Sequence, residues 1–129
     1  MTVEEMKYDM VIVGAGPAGL SAAIKLKQLD KKNNTNHSIC IIEKGAEVGS
    51  HILSGAILDP IALNELIPDW KNLDIPIKTK VTHEEFSFVT KSKSLTVPNI
   101  FLPKDLKNEG NYIISLGNMC KWLGDYATK

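Results

Sequence analysis

The run Gly14-Ala15-Gly16-Pro17-Ala18-Gly19 constrains this chain more than any other feature, because of what flanks it. Before it stands Met10-Val11-Ile12-Val13, an uninterrupted apolar run of the kind that forms a strand buried on both faces. After it, Leu20, Ile24 and the Leu26–Leu29 region recur at helical spacing around Ala22 and Ala23. Lys25, Lys27 and Gln28 take the wet side, so the spacing predicts a helix from about Pro17 to Leu29. Asp30–His37, with its lysines and asparagines, reads as a solvated loop. Ser38–Glu43, carrying Ile39, Cys40, Ile41 and Ile42, reads as a second buried strand. Strand, helix and strand in succession predict one right-handed βαβ unit with parallel strands over residues 8–43.

In that setting the GxGxxG run has a physical meaning. Gly14 permits the tight turn, Gly16 lets backbone approach a pyrophosphate, and Gly19 lets the helix pack closely on the strand. A helix N-terminus offers unpaired N–H groups and roughly half a positive charge, so a diphosphate binds there without a dedicated cation. Glu43, at the end of the second strand, is placed to accept hydrogen bonds from the ribose hydroxyls of an adenosine. The same carboxylate repels a 2′-phosphate and so disfavours NADP. FAD and NAD both present an ADP moiety, and the residues alone do not choose between them.

The rest of the chain reads differently. Gly49–Trp70 holds Ile52, Leu53, Ile57, Leu58, Ile61, Leu63, Leu66, Ile67 and Trp70, more apolar matter than one short helix buries on one face. Asp59-Pro60 signals a helix start and Pro68 its end. Asp59, Asn64, Glu65 and Asp69 forbid a spanning helix, so the expectation for 49–70 is a shallow, one-sided membrane contact with Trp70 at the interface. Residues 75–98 alternate, with Phe86, Phe88, Leu95 and Val97 around Lys91-Ser92-Lys93-Ser94, which predicts an appended β-hairpin region. Tyr112–Ile114 reads as a brief strand. Leu116, Met119, Cys120, Leu123 and Ala127 mark a last amphipathic helix over 115–128, with Ser115 as its cap.

Composition narrows the function classes. The 129 residues carry 15 Lys+Arg against 15 Asp+Glu, a balance that argues against nucleic-acid binding. Length allows one domain, and 43% hydrophobic content is that of a folded one. Cys40 and Cys120 are too few for an iron–sulfur cluster. His37, His51 and His83 have no ligand spacing, so no metal site is expected. No Ser/His/Asp or paired-carboxylate arrangement stands out, and no catalytic residue is assigned. The N-terminus lacks the apolar core of a signal peptide, and no stretch is long and apolar enough to span a bilayer.

Val11–Leu29 resembles the ADP-binding start of a flavoprotein. Leu53-Ser54-Gly55-Ala56-Ile57-Leu58-Asp59-Pro60, Ile67-Pro68-Asp69-Trp70, Gly110-Asn111-Tyr112-Ile113 and Leu123-Gly124 are more particular. Together they resemble the N-terminal part of the electron transfer flavoprotein–ubiquinone oxidoreductase family, over roughly Tyr8 to Ala127. The resemblance implies an α/β fold with a Rossmann-like FAD/NAD(P)-binding unit, in an incomplete N-terminal fragment of a larger flavoprotein. It implies an enzyme peripheral on the inner membrane (bacterial cytoplasmic or mitochondrial matrix face), taking electrons from reduced electron transfer flavoprotein and passing them to ubiquinone. FAD and a [4Fe-4S] cluster would serve it, the cluster's ligands lying outside these residues. The residues carried over are Gly14, Gly16, Pro17, Ala18 and Gly19 in the ADP loop, Glu43 and Lys44 at the strand end, and Ser54 and Gly55 near the cofactor. Competing expectations are a related flavoprotein of the geranylgeranyl reductase or nitrogen-fixation dehydrogenase type, and a non-catalytic fragment.

Overall fold

The computed structural model describes residues 4–128. Strands β1 (Met10–Val13) and β2 (Ile39–Ile42) pair in parallel, with Met10 opposite Ile39 and Val13 opposite Ile42. Helix α1 (Pro17–Asn33) is the crossover between them. It runs a full turn beyond the expected end at Leu29. Lys31 and Lys32 occupy its last turn, where cations suit the negative end of the helix dipole. Asn34 ends it in the left-handed conformation at φ 55°, its N–H donating to the Asp30 carbonyl. Asp30 is buried, and its carboxylate accepts from Thr35 Oγ1 at 2.8 Å and from the His37 N–H at 2.9 Å, and pairs with the His37 ring. The polar segment after Leu29 is therefore half helix and half a turn tied down by one buried carboxylate.

A second sheet is antiparallel, with β7 (Tyr112–Ile114) between β3 (Ala56–Leu58) and β4 (Thr79–Lys80). Between β3 and β4 lie α2 (Ile61–Leu66) and a 3-10 turn at Trp70–Asn72. Asp59 starts α2 as expected, its Oδ1 accepting the Ile61 N–H at 3.0 Å, and the helix stops before Pro68. A separate hairpin pairs β5 (Phe86–Val89) with β6 (Ser94–Val97), Phe88 opposite Leu95. The hairpin is thus shorter than the expected 75–98: Ile75 and Ile77 enter the core and Thr79–Lys80 joins β7. Helix α3 (Leu116–Ala127) closes the described chain, with Ser115 Oγ accepting the Asn118 N–H.

The core forms where α1, β7, α3 and the segment around α2 meet. It holds Leu20, Ile24, Leu63, Ile67, Trp70, Ile75, Ile77, Ile114, Met119, Cys120 and Leu123. This corrects the expectation for 49–70. Trp70 is only 2% exposed, its indole N–H donates to Asn64 Oδ1 at 2.7 Å, and its ring meets Tyr112 edge-on. Leu63 and Ile67 are buried, and Ile52, Leu58 and Leu66 pack against the same core. Only Leu53, Ile57 and Ile61 of that segment remain exposed. The count of apolar residues overstated the problem because α2, the 3-10 turn and β3 each turn a different side inward. A second correction concerns β1 and β2, expected to be buried on both faces. Val11, Val13 and Ile42 are exposed, because α1 covers one face of this two-stranded sheet and no described element covers the other; Met10, at the start of β1, is exposed as well.

Candidate nucleotide-binding site

The loop from β1 to α1 is built by its glycines, each for its own reason. Gly14 sits at φ 101°, a conformation L side chains rarely adopt, and its N–H donates to the Ile42 carbonyl at 2.7 Å. That bond fastens the loop to the end of β2. A Cβ on Gly19 would lie 2.1 Å from the Gly14 carbonyl oxygen and 3.2 Å from Ile12 Cγ2. The first turn of α1 therefore touches the strand, and no side chain fits between them. Gly16 is the opposite case: a Cβ there meets nothing within 4 Å. Protein packing does not require glycine at that position, so the space over it is free for a ligand.

The start of α1 carries no side-chain cap and no acidic residue in its first turn. Pro17 stands first in the helix, where its missing N–H costs nothing. The amides of Ala18 and Gly19, in that first turn, have no intrahelical acceptor. An uncapped helix end with positive partial charge, beside an open glycine, fits a diphosphate.

Glu43 follows β2 and reaches back under this loop. Its Oε2 accepts the Ala15 N–H at 2.9 Å and its Oε1 the Gly45 N–H at 2.8 Å. These bonds, Gly45 first and Ala15 second, hold its carboxyl below the ordinary glutamate value despite some desolvation. The side chain stays ionised, and each oxygen keeps a lone pair free for a hydroxyl. Glu43 thus braces two loops, a role the sequence reading did not include. Lys44 beside it is exposed. Ser54 and Gly55 are exposed as well; Gly55, at φ 88°, turns the chain into β3. No described hydrogen bond joins Ser54 or Gly55 to the glycine loop. The fold therefore brings together Gly14 to Gly19 with Glu43.

A groove of about 790 Å³ runs along β2, lined by Ile39, Ile41 and Glu43 on one side and by Leu20, Val48 and Gly124 on the other. It touches Ala15, but Gly14, Gly16 and Gly19 do not line it. It lies between α1, β2 and α3 and meets the glycine loop at Ala15 and Glu43. Among the described residues no cluster of three or more His, Cys, Asp or Glu side chains is placed to hold a metal. Cys40 is half-buried on β2 and Cys120 fully buried in α3, where burial pushes its thiol up. Two such thiols do not fit a [4Fe-4S] cluster, which takes four thiolates.

A family model described as an NAD(P)-binding Rossmann-like domain matches residues 12–68. Among curated proteins, the electron transfer flavoprotein-ubiquinone oxidoreductase of Pseudomonas aeruginosa is 56% identical over 128 residues, 98% of this chain and 23% of that protein. The mitochondrial protein of that name from Dictyostelium discoideum is 57% identical over 121 residues, 94% of this chain and 20% of its own length. The mitochondrial protein from Rattus norvegicus is 49% identical over 119 residues, 92% of this chain and 19% of its own. The chain spans about a fifth of the length of these relatives. With a Rossmann-like dinucleotide unit over residues 12–68 and 49–57% identity over 92–98% of its length, the chain is homologous to a stretch of the electron transfer flavoprotein-ubiquinone oxidoreductases.

Proposed function

We propose that this chain supplies the ADP-binding half of an FAD site, in an oxidoreductase that passes electrons from reduced electron transfer flavoprotein to ubiquinone. The observation that carries the reading is the uncapped N-terminus of α1 beside Gly16, with the ionised Glu43 beneath the loop. Gly14, Gly16, Pro17, Ala18 and Gly19 form the diphosphate cradle, and Glu43 accepts from the adenosine ribose. Lys44, Ser54 and Gly55 border the cofactor. FAD supplies the electron chemistry when bound; these residues bind and orient it. The family relation favours FAD over NAD, since the relatives' names couple a flavoprotein donor to a quinone acceptor. A [4Fe-4S] cluster takes four thiolates, and Cys40 and Cys120 do not supply them.

The membrane contact belongs on the hairpin rather than on 49–70. Phe86 and Phe88 meet edge-to-face on one side of β5–β6, and Leu95 faces the same side opposite Phe88. On the other side Ser87, Thr96 and Glu85 are joined by hydrogen bonds. Nearby along the chain Ile100 and Phe101 are also exposed, with Lys91, Lys93, Lys104 and Lys107 among them. An exposed apolar face of this kind suits shallow insertion at a membrane surface. The attachment is peripheral, on the inner-membrane face where a quinone reductase works.

The test is to exchange this chain for the matching fifth of the Pseudomonas aeruginosa protein. Flavin incorporation with quinone reduction supports the reading. Gly16→Val in that chimaera removes the flavin and leaves a folded protein that melts where the flavin-free chimaera does, because no protein atom opposes the new side chain. Full flavin occupancy in the Gly16→Val chimaera overturns it. Phe88→Ser with Phe101→Ser tests the membrane face by liposome sedimentation, where undiminished binding counts against it.

A further inference from the structure

The residues after Glu43 do not wander. Ser50 N–H and Oγ both donate to the Glu47 carbonyl, and Ile52 N–H donates to the Gly49 carbonyl, so 45–52 is a folded strap. The strap is fastened to α3 at three places. Gly49, at φ 90°, lies against Gly117 so closely that a Cβ would fall 2.4 Å from the Gly117 carbonyl oxygen. Val48 packs on Gly124, where a Cβ would sit at an ordinary 3.6 Å. Lys121 Nζ donates to Glu47 Oε2 at 2.9 Å. Gly117, Lys121 and Gly124 stand at helical spacings of four and three, so one face of α3 receives the strap. At its other end the strap begins with Gly45, whose N–H holds Glu43, and Glu43 in turn holds the Ala15 N–H.

We propose that α3, through the strap 45–52, sets the position of the Glu43 carboxylate under the glycine loop, making Gly49 and Gly117 positioning residues of the nucleotide site. The proposal rests on the reading of that loop as an ADP site. The surface pair Glu47–Lys121 is highly exposed and contributes little alone. The backbone contact of Gly49 with Gly117 is the close link: a Cβ on Gly117 would lie 3.0 Å from the Gly49 carbonyl oxygen, so the strap must give way by a few tenths of an ångström. The depressed titration of Glu43 reports the state of the link directly, since its first cause is the Gly45 N–H.

The experiment compares Gly117→Val and the milder Gly117→Ala with Gly124→Ala, a change on the same helix face that meets only ordinary contact. Carboxyl NMR follows the Glu43 titration, and amide exchange follows Ala15. In the Gly117 variants the Glu43 titration moves upward, toward the ordinary glutamate value, and Ala15 exchanges about tenfold faster. Amides of the α1 interior keep their rates, which separates this effect from general loosening. Gly124→Ala changes neither readout. If Gly117→Val fails to fold, Gly117→Ala carries the same comparison. An unchanged Glu43 titration and Ala15 exchange in the folded Gly117 variant overturns the proposal, whatever the nucleotide does. Titration with ADP tests the other premise separately. If ADP does not bind the unaltered chain while the Gly117 variants still shift Glu43, the coupling stands and the nucleotide reading falls.

Discussion

The two sheets of this molecule use similar residues to different ends. In the parallel pair, β1 and β2 are apolar on both sides, yet Val13 is 84% exposed and Met10, Val11 and Ile42 are exposed with it. In the antiparallel sheet the central strand alternates: Ile114 is buried and its neighbour Ile113 is exposed. The helices show the same division. The N-terminus of α3 is sealed by Ser115, whereas that of α1 has no side-chain cap. The parallel half is therefore built around an open helix end and an uncovered sheet face, and the other half supplies most of the buried core. A site needs free N–H groups and room, and stability needs neither, so the two tasks have been given to different parts of the chain.

The sharpest way to break this comparison is at Trp70. If the segment after α2 is core, Trp70→Ala removes a fully packed ring and its indole bond to Asn64, costing about 3–5 kcal/mol in denaturant unfolding. A loss under about 1 kcal/mol would return Trp70 to a surface role. The next effect lies within the glycine loop. Gly19→Ala drives a Cβ into the Gly14 carbonyl and costs about 1–3 kcal/mol as strain. Gly16→Ala meets no atom and leaves stability within about 0.5 kcal/mol. Equal costs at the two glycines would mean that the loop is crowded throughout and holds no free cradle.

Much of this was legible in the sequence, and the reasons are local. The strand–GxGxxG–helix order, the Asp59 start of α2, the hairpin around Lys91-Ser92-Lys93 and the Ser115 cap each depend on residues near one another in the chain. What was not legible depends on distance. Nothing around Trp70 announces that Asn64 will take its N–H or that Tyr112 will meet its ring. The double duty of Glu43 needs Ala15 and Gly45 to converge, which only the folded loop reveals. One signal does reach across that distance: Gly117 stands in a helix, where glycine is costly, and marks the close approach of Gly49.

Acid is a further probe of the parallel half. The Asp30 carboxyl, which ties α1 to the turn before β2, is held well below its ordinary 3.8, first by the His37 ring, then by the His37 N–H, Thr35 and Lys27. A carboxyl depressed on folding stabilises above its unfolded value, and that contribution fades as pH falls toward the folded one. Unfolding free energy should therefore decline below about pH 4, and Asp30→Asn should flatten that decline while lowering stability at neutral pH. An acid limb unchanged in the variant would assign the sensitivity to other carboxylates. At the opposite helix, Ser115→Ala should cost about 0.5–1 kcal/mol, the low side of capping effects, because its bond is a long 3.4 Å.

The smallest effect distinguishes the two sheets most directly. Val13→Thr exchanges one methyl for a hydroxyl of the same shape and keeps a β-branched residue in the strand. At a side chain 84% exposed the hydroxyl stays in water, so unfolding should shift by less than about 0.5 kcal/mol. The same kind of change at Ile114, 4% exposed in the core, buries an unpaired hydroxyl and deletes packing, for a loss of about 2 kcal/mol or more. The contrast separates apolar composition from burial, since both residues are β-branched members of short strands. A Val13→Thr cost that matched Ile114→Thr would mean that the outer face of β1 is covered in solution. Dilution would then expose the cause, because a cover supplied by a second molecule is lost as concentration falls.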